Sequence, residues 1–196
     1  MTILVDVDGV LIAGELGGGH WSERLADRFN FTATDLDDSF FGKHWSEIVV
    51  GKQPALPLLQ QALDEIGAEA GAKEVQDFWF STDAQKNESV LDWVKTQRRD
   101  GHRVLLATNQ DHDRAANIMN VLGLRHYCDG IYYSAALGFA KPDPHFYRAV
   151  QMAENKPPEH LILIDDTKEN VAAALKEAWR AHHFKHADDL IEIAVS

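Results

Sequence analysis

The chain has 196 residues, enough for one domain with a sizeable core or for a domain carrying a smaller insertion, which excludes a mini-protein held by disulfides or a structural metal. With 45% hydrophobic and 26% charged residues it is neither disordered nor fibrous. Its 31 acidic against 19 basic residues give a formal charge of -12 with no basic run, so nucleic acid and membrane surfaces are not expected partners. The single cysteine, Cys128, cannot form an internal disulfide, which points to a cytoplasmic location. Met1 to Val10 has no basic start and meets two aspartates after five residues, so it is read as part of the fold and not as a signal peptide or membrane span.

In chain order, Thr2 to Val5 is the first short aliphatic run and predicts a buried strand. From Gly14 to Gln85 the apolar spacing turns helical (Leu25, Phe29; Leu58, Leu59, Leu63), so this stretch predicts a helical insertion. Gly17, Gly18 and Gly19 at its start, and Ser81, Thr82 and Asp83 at its end, predict flexible linkers and a hinge. Nine aromatic residues (Trp21, Phe29, Phe31, Phe40, Phe41, Trp45, Phe78, Trp79, Phe80) fall inside the insertion and predict a small helical core of its own.

Helix and strand then alternate. Glu88 to Arg99, closed by Gly101, precedes a strand at Val104 to Ala107; Asp113 to Leu122, closed by Gly123, precedes a strand at Gly130 to Tyr133. Pro144 to Glu154, opened by a proline, leads to a strand at Leu161 to Ile164. This order predicts an α/β fold: a Rossmann-like parallel sheet sandwiched by helices, with right-handed crossovers and a small all-helical cap domain. The expected boundaries are a core of residues 1–13 and 86–196 and a cap of residues 14–85.

Asp6 and Asp8 stand two apart at the end of the first strand, which sends both carboxylates to one side. Two carboxylates ~5 Å apart repel by about 3 kcal/mol at an effective dielectric near 20, so the pair needs a cation or strong donors. An isolated D-x-D more often caps a turn, but three further segments also lie at strand ends, where open α/β sheets bind ligands. They are Thr108-Asn109, whose hydroxyl and N–H suit an anionic oxygen; Gly138 to Pro144, where Pro142 and Pro144 stiffen the segment that holds Lys141; and Asp165-Asp166, with Asn170 one turn beyond. Four carboxylates against one lysine leave a negative surplus that a hard divalent cation would relieve, with oxygen ligands favouring Mg²⁺.

The ordered segments D-V-D-G-V, A-T-N, G-F-A-K-P-D-P and L-I-D-D-T-K-E-N-V resemble the haloacid dehalogenase superfamily of hydrolases. The resemblance implies that Asp6 is the nucleophile that forms an aspartyl-phosphate and that Asp8 protonates the leaving group and later activates water. It implies Mg²⁺ held by the Asp6 carboxylate, the Asp8 carbonyl and the Asp166 carboxylate, with Asp165 as a nearby or water-mediated ligand. Thr108 and the backbone at Asn109 would hold the phosphoryl group, and Lys141 would pair with Asp6 and that group. The implied activity is a Mg²⁺-dependent phosphatase acting on a small phosphorylated metabolite, and the insertion resembles a helical cap that closes over substrate.

Three departures stand beside this. Val10 occupies a place where many such phosphatases have threonine and some sugar-phosphate mutases do not, so phosphomutase is the alternative activity. Asn170 replaces a further acid, and Ala178-Trp179 stands where a glycine often precedes the last strand. The superfamily also includes dehalogenases, and a catalytically silent binding or regulatory protein is the alternative outside enzymes. Of the ten histidines, His182, His183 and His186 tempt a zinc reading, but adjacent strand residues face opposite ways. Asp111 to Arg114 are expected to start a helix, with Gln110 or His112 within reach of substrate, and His20, Trp21 and Arg24 are placed where a lid could present them.

Overall fold

The computed structural model describes residues 1–13 and 21–193, with no side-chain description for residues 191 and 192. The hinge expectation at Gly17 to Gly19, and His20, lie outside the described residues.

Five strands, β1 (Thr2–Val5), β2 (Arg103–Thr108), β3 (Ile131–Tyr133), β4 (Leu161–Asp165) and β5 (Arg180–His183), form one parallel sheet in the order β3-β2-β1-β4-β5. β1 lies at the centre, with Val5 opposite Leu106 on one side and Ile164 on the other. The fifth strand did not stand out as an aliphatic run, because Arg180-Ala181-His182-His183 is only half-buried at the sheet edge.

Period-two alternation assigns the two faces. Ile3, Val5, Val104, Leu106, Ile162 and Ile164 pack under α6 (Glu88–Arg99) and α7 (His112–Asn120) through Val90, Leu91, Val94 and Ile118. Leu4, Ala107, Leu161 and Leu163 face α9 (Pro144–Glu154) and α10 (Lys168–Lys176), meeting Phe146, Tyr147, Val150 and Ala174. A short helix, α8 (Ser134–Leu137), follows β3 directly. Burial on both faces is why the strands are nearly continuous apolar runs.

Helix starts follow local chemistry. Asn87 caps α6 and Asp111 caps α7, Asp111 Oδ1 accepting from the N–H groups of Asp113 and Arg114 at 2.8 and 3.1 Å. Asp143 caps α9 just ahead of Pro144. α7 stops at Asn120, two residues short of the expected end, and Gly123 takes the left-handed conformation beyond it at φ +74.

The described part of the insertion is helical. Trp21–Arg24 runs into α1 (Leu25–Arg28); α2 (Ala33–Leu36), a π turn at Asp37–Phe41 and α3 (Gly42–Ile48) follow, then α4 (Ala55–Glu65) and α5 (Ala72–Thr82). Its apolar residues form a separate cluster of Trp21, Leu25, Phe31, Leu36, Phe40, Ile48, Leu59 and Leu63 among others, with Trp21 stacked on Trp79 at 5.0 Å. The two ends of the insertion run side by side: Ala13 N–H donates to Gln85 O at 2.9 Å and Asn87 N–H to Leu11 O at 2.8 Å.

One expectation is corrected here. Ser81 and Thr82 are no linker but the last turn of α5, their hydroxyls donating back to Phe78 O at 3.0 and 2.7 Å. Asp83 N–H continues that turn to Trp79 O at 2.9 Å, and its side chain is pinned to the core by Arg114.

Candidate active site

β1, β2 and β4 deliver site residues at their carboxyl ends, and Lys141 reaches the same edge not from the end of β3, as expected, but from the loop after α8. Asp6 follows β1 and stays in register with β4, its N–H donating to Ile164 O at 2.9 Å. Its Oδ1 accepts from Val7 N–H at 2.8 Å and its Oδ2 lies 3.0 Å from Lys141 Nζ. Lys141 Nζ also donates to Asp165 Oδ2 at 2.6 Å and to Ala107 O at 2.7 Å, so all three of its protons have acceptors. Asn109 holds the lysine's backbone by both ends of its amide, Nδ2 to Lys141 O and Lys141 N–H to Oδ1, each 2.8 Å. The expected neighbours Asn109, Lys141 and Asp6 are thus brought together, with Asn109 acting through its side chain.

Asp165 is fully buried at the end of β4. Besides Lys141 it accepts from Thr167 N–H at 2.9 Å and from Asn170 Nδ2 at 3.0 and 3.2 Å. Asn170 therefore serves Asp165, one turn into α10. Asp166 instead is exposed, and one oxygen from each of Asp6, Asp165 and Asp166 lies within 4.8 Å of the others. Gly9, left-handed at φ +79, lets Asp166 approach: a Cβ there would lie 2.1 Å from Asp166 Oδ2. Among the described residues no other group of three acidic, histidine or cysteine side chains is gathered this way.

The charges show in the titration of the site. Burial, reinforced by Asp165 and Asp8, pushes the Asp6 carboxyl up to about 7 against the pull of Lys141. Burial alone would lower Lys141, yet the flanking Asp6 and Asp165 hold it above its ordinary value and keep it charged. Asp166 is raised by desolvation and by Asp165. Three hard carboxylate oxygens with one ammonium between two of them still carry surplus negative charge, and the open side of the surplus is at Asp166.

Asp8 is open to solvent, and its Oδ2 accepts a short hydrogen bond from Gln110 Nε2. The protein around its carboxyl and the nearby Asp83 raise its pKa, with Arg114 and the Gln110 bond opposing. Thr108, the last residue of β2, is buried at the floor, its Oγ1 3.4 Å from the same Gln110 nitrogen.

Three further members join this neighbourhood, of which Gln110 is expected within reach of substrate and Arg114 and Asp83 are not. Gln110 is buried, its backbone N–H donating to Ser134 Oγ at 2.9 Å. Arg114, on α7, is fully buried, donating to Asp83 O, to Asp83 Oδ2 at 3.2 Å and to Phe80 O at 3.3 Å, with its guanidinium 5.1 Å from the Phe80 ring. Asp83 thereby sits close enough to act on Asp8. Gln110 and Arg114 stand close in sequence to Thr108-Asn109, whereas Asp83 is joined to them only by tertiary contact.

The other candidates lie elsewhere. His112 meets Tyr133 OH at 3.2 Å, and His183 Nε2 meets Asp166 O at 2.8 Å while His182 points its Nε2 into a buried place without a partner. His186 heads the turn at Ala187–Glu192. Trp21 lies in the aromatic cluster of the insertion, where Trp21, Phe41, Trp45 and Trp79 line a cavity of about 540 Å³.

A sequence profile of the haloacid dehalogenase-like hydrolases matches residues 1–178. The chain is 28% identical over 180 residues to a phosphorylated carbohydrates phosphatase of Thermotoga maritima, covering 88% of this chain and 79% of that protein. Its fold is similar to a HAD family enzyme of Bacteroides thetaiotaomicron crystallised with magnesium and inorganic phosphate: TM-score 0.74, 18% identity, 94% of this chain and 93% of that one. It is also similar to the L-2-haloacid dehalogenase of Xanthobacter autotrophicus: TM-score 0.65, 12% identity, 92% and 75% covered. At these identities the two structures speak for the fold alone.

Proposed function

The chain belongs to the haloacid dehalogenase-like hydrolases, and from that premise we propose that it is a Mg²⁺-dependent phosphatase of a small phosphorylated metabolite, working through an aspartyl-phosphate on Asp6. The observation that carries the reading is the contrast between two carboxyls at one strand end: Asp6 is buried and held by Lys141, whereas Asp8 is an exposed residue held through Oδ2 by Gln110, with Oδ1 left for a leaving group. A sugar phosphate is the first substrate class to try, given the name of the Thermotoga maritima relative.

An Asp6 oxygen attacks phosphorus in line; its bond to phosphorus forms as the ester P–O bond breaks, and the Asp8 carboxyl passes its proton to the departing oxygen. Water then attacks phosphorus, Asp8 takes a proton from it, and phosphate leaves with Asp6 restored. The Thr108 hydroxyl and the Asn109 N–H are the donors offered to the phosphoryl oxygens. Lys141, its protons all engaged, contributes a fixed positive charge beside Asp6 and keeps that carboxylate from swinging. Mg²⁺, held by the carboxylates of Asp6 and Asp166 and the carbonyl of Asp8, with Asp165 behind, would supply the charge that balances the acidic surplus and the phosphoryl oxygens. Residues 14–85 serve in this reading as the cap domain over a core of 1–13 and 86–196, excluding water when substrate is bound. No described helix is long and apolar enough to cross a membrane.

The acid separates this chemistry from dehalogenation, since a halide departs without a proton. In single-turnover experiments Asp8→Ala is expected to slow hydrolysis of an alkyl phosphate such as glycerol 2-phosphate by about 10²-fold to 10⁴-fold. The loss for p-nitrophenyl phosphate should be much smaller, because its leaving group departs readily unprotonated. Halide release from 2-chloropropionate with no phosphate release from any of a panel of esters would overturn the proposal.

A further inference from the structure

The side chain that meets Asp8 comes not from the Asp6-Asp8 segment but from the loop after β2, the strand paired with β1. Gln110 Nε2 donates to Asp8 Oδ2, and the same nitrogen lies 3.4 Å from Thr108 Oγ1. We infer that Gln110 is a positioning residue that fixes the rotamer of Asp8, reserving one carboxyl oxygen for the leaving group. This rests on the reading of Asp8 as the proton donor.

Geometry supports it on three counts. First, Gln110 is itself anchored: it is 3% exposed, its N–H donates to Ser134 Oγ at 2.9 Å, and its carbonyl accepts from Ser134 Oγ and Ala135 N–H, each at 3.2 Å. A buried amide anchored at its backbone is a firm reference point for a carboxyl that is otherwise open to solvent. Second, the segment carrying Asp8 offers it little restraint of its own. Gly9 follows at φ +79 and the Val10 side chain is buried in the apolar cluster under α6, so neither supplies a donor to the carboxyl. Third, the contact engages Oδ2 and leaves Oδ1 as the oxygen available to a departing ester oxygen. A primary amide also suits both roles of Asp8: Nε2 donates to the carboxylate, and the amide turned end for end presents Oε1 to the protonated form. By touching Thr108 as well, Gln110 keeps the proton donor and the phosphoryl-binding hydroxyl in fixed relation, which is what a reaction at one phosphorus atom requires.

The test compares single-turnover rates for glycerol 2-phosphate and p-nitrophenyl phosphate in the full-length chain with saturating Mg²⁺. Gln110→Leu removes the donor at similar volume, and Gln110→Asn keeps an amide that is one methylene too short; the second guards against a folding failure of the first. Each is expected to lower the alkyl rate about 10-fold, a fraction of the whole contribution of a positioned acid, and to lower the aryl rate much less, so the alkyl-to-aryl ratio falls. KM for the alkyl ester should move less than the rate. In the Asp8→Ala background, Gln110→Leu should cost the alkyl reaction nothing further, because two residues acting as one unit are not additive. Full additivity, or an unchanged ratio in both Gln110 variants while Asp8→Ala lowers it, would reduce Gln110 to a packing role. If Asp8→Ala itself left the ratio unchanged, the acid assignment would fail first and this inference with it.

Discussion

Replacing Asp6 with asparagine separates the two demands on that residue, because the substitution keeps its shape and removes its charge. Asp6 titrates near 3.8 when free and is pushed up to about 7 in the fold, mainly by burial, so without a metal its ionised form is a burden on the native state. Between these values the folded chain holds a proton that the unfolded chain has released. Stability from this group is therefore intact below about pH 4, falls as pH rises, and is fully lost above about pH 7. At about 1.4 kcal/mol for each pH unit, the gap amounts to about 4 kcal/mol at pH 8. Asp6→Asn cannot lose a proton, so it should escape that penalty. For a chain of this size the gain corresponds to roughly 8–16 °C in Tm at pH 8.

Thermal unfolding followed by circular dichroism in excess chelator, from pH 5 to 8.5, reads this directly. Asp8, Asp111 and Asp166 are raised as well and give slopes of the same sign, so the informative quantity is wild type minus variant. That difference should be small at pH 5 and grow in favour of Asp6→Asn toward pH 8, while turnover of any phosphate ester is abolished. Adding Mg²⁺ should raise the wild type and shrink the difference, since the cation then balances the charge that burial penalises. A variant less stable than wild type at pH 8, or a difference that does not change with pH, would refute the account of a frustrated carboxylate at this position. Wild-type turnover in the variant would refute the nucleophile.

Removal of divalent cations should abolish activity, with Mg²⁺ restoring it and Ca²⁺ serving poorly because the larger ion takes more oxygens and invites Asp6 to bind through both of its own; full activity in excess chelator would contradict the metal proposal. Gly9→Ala should weaken Mg²⁺ binding measured by calorimetry, since its Cβ would stand 2.1 Å from Asp166 Oδ2 and must push that carboxylate aside, and the strain of φ +79 should cost a further ~1 kcal/mol or so of stability. Arg114→Met should lower stability by about 3–5 kcal/mol, because it leaves Asp83 and two carbonyls without their buried partner; denaturant melts check it, and a loss below about 0.5 kcal/mol, the range of an ordinary surface change, would show the contact to be incidental.

What could be seen in the sequence and what could not divides along a physical line. Strand alternation and helix caps act over a few residues, so Thr2 to Val5, Glu88 to Arg99 and Pro144 to Glu154 were legible to within a residue or two. Acidic and hydroxyl residues at the ends of β1, β2 and β4 are legible for the same reason, since a parallel sheet carries such ends to one edge, whereas Lys141 arrives from a loop beyond α8 that no strand end marks. β5 is not legible, because an edge strand needs no apolar run, and Ser81 to Asp83 reads as a linker because polar side chains that end a helix resemble those of one. Gln110 and Asp8 stand 102 positions apart, and no local rule pairs an amide with a carboxyl over that distance. Arg114 is the sharper case: it is expected only as part of a helix start, and its guanidinium is taken up by Phe80 and Asp83, 34 and 31 positions away. Its burial has a consequence for the site. In a chain of charge -12, the two buried cations among the described residues are Lys141 and Arg114, and each faces one member of the Asp6, Asp8 pair, Lys141 by contact and Arg114 by its field. The acidic edge can be assembled before any metal arrives because these two charges, one at the strand end and one under the insertion, offset part of the repulsion from opposite sides.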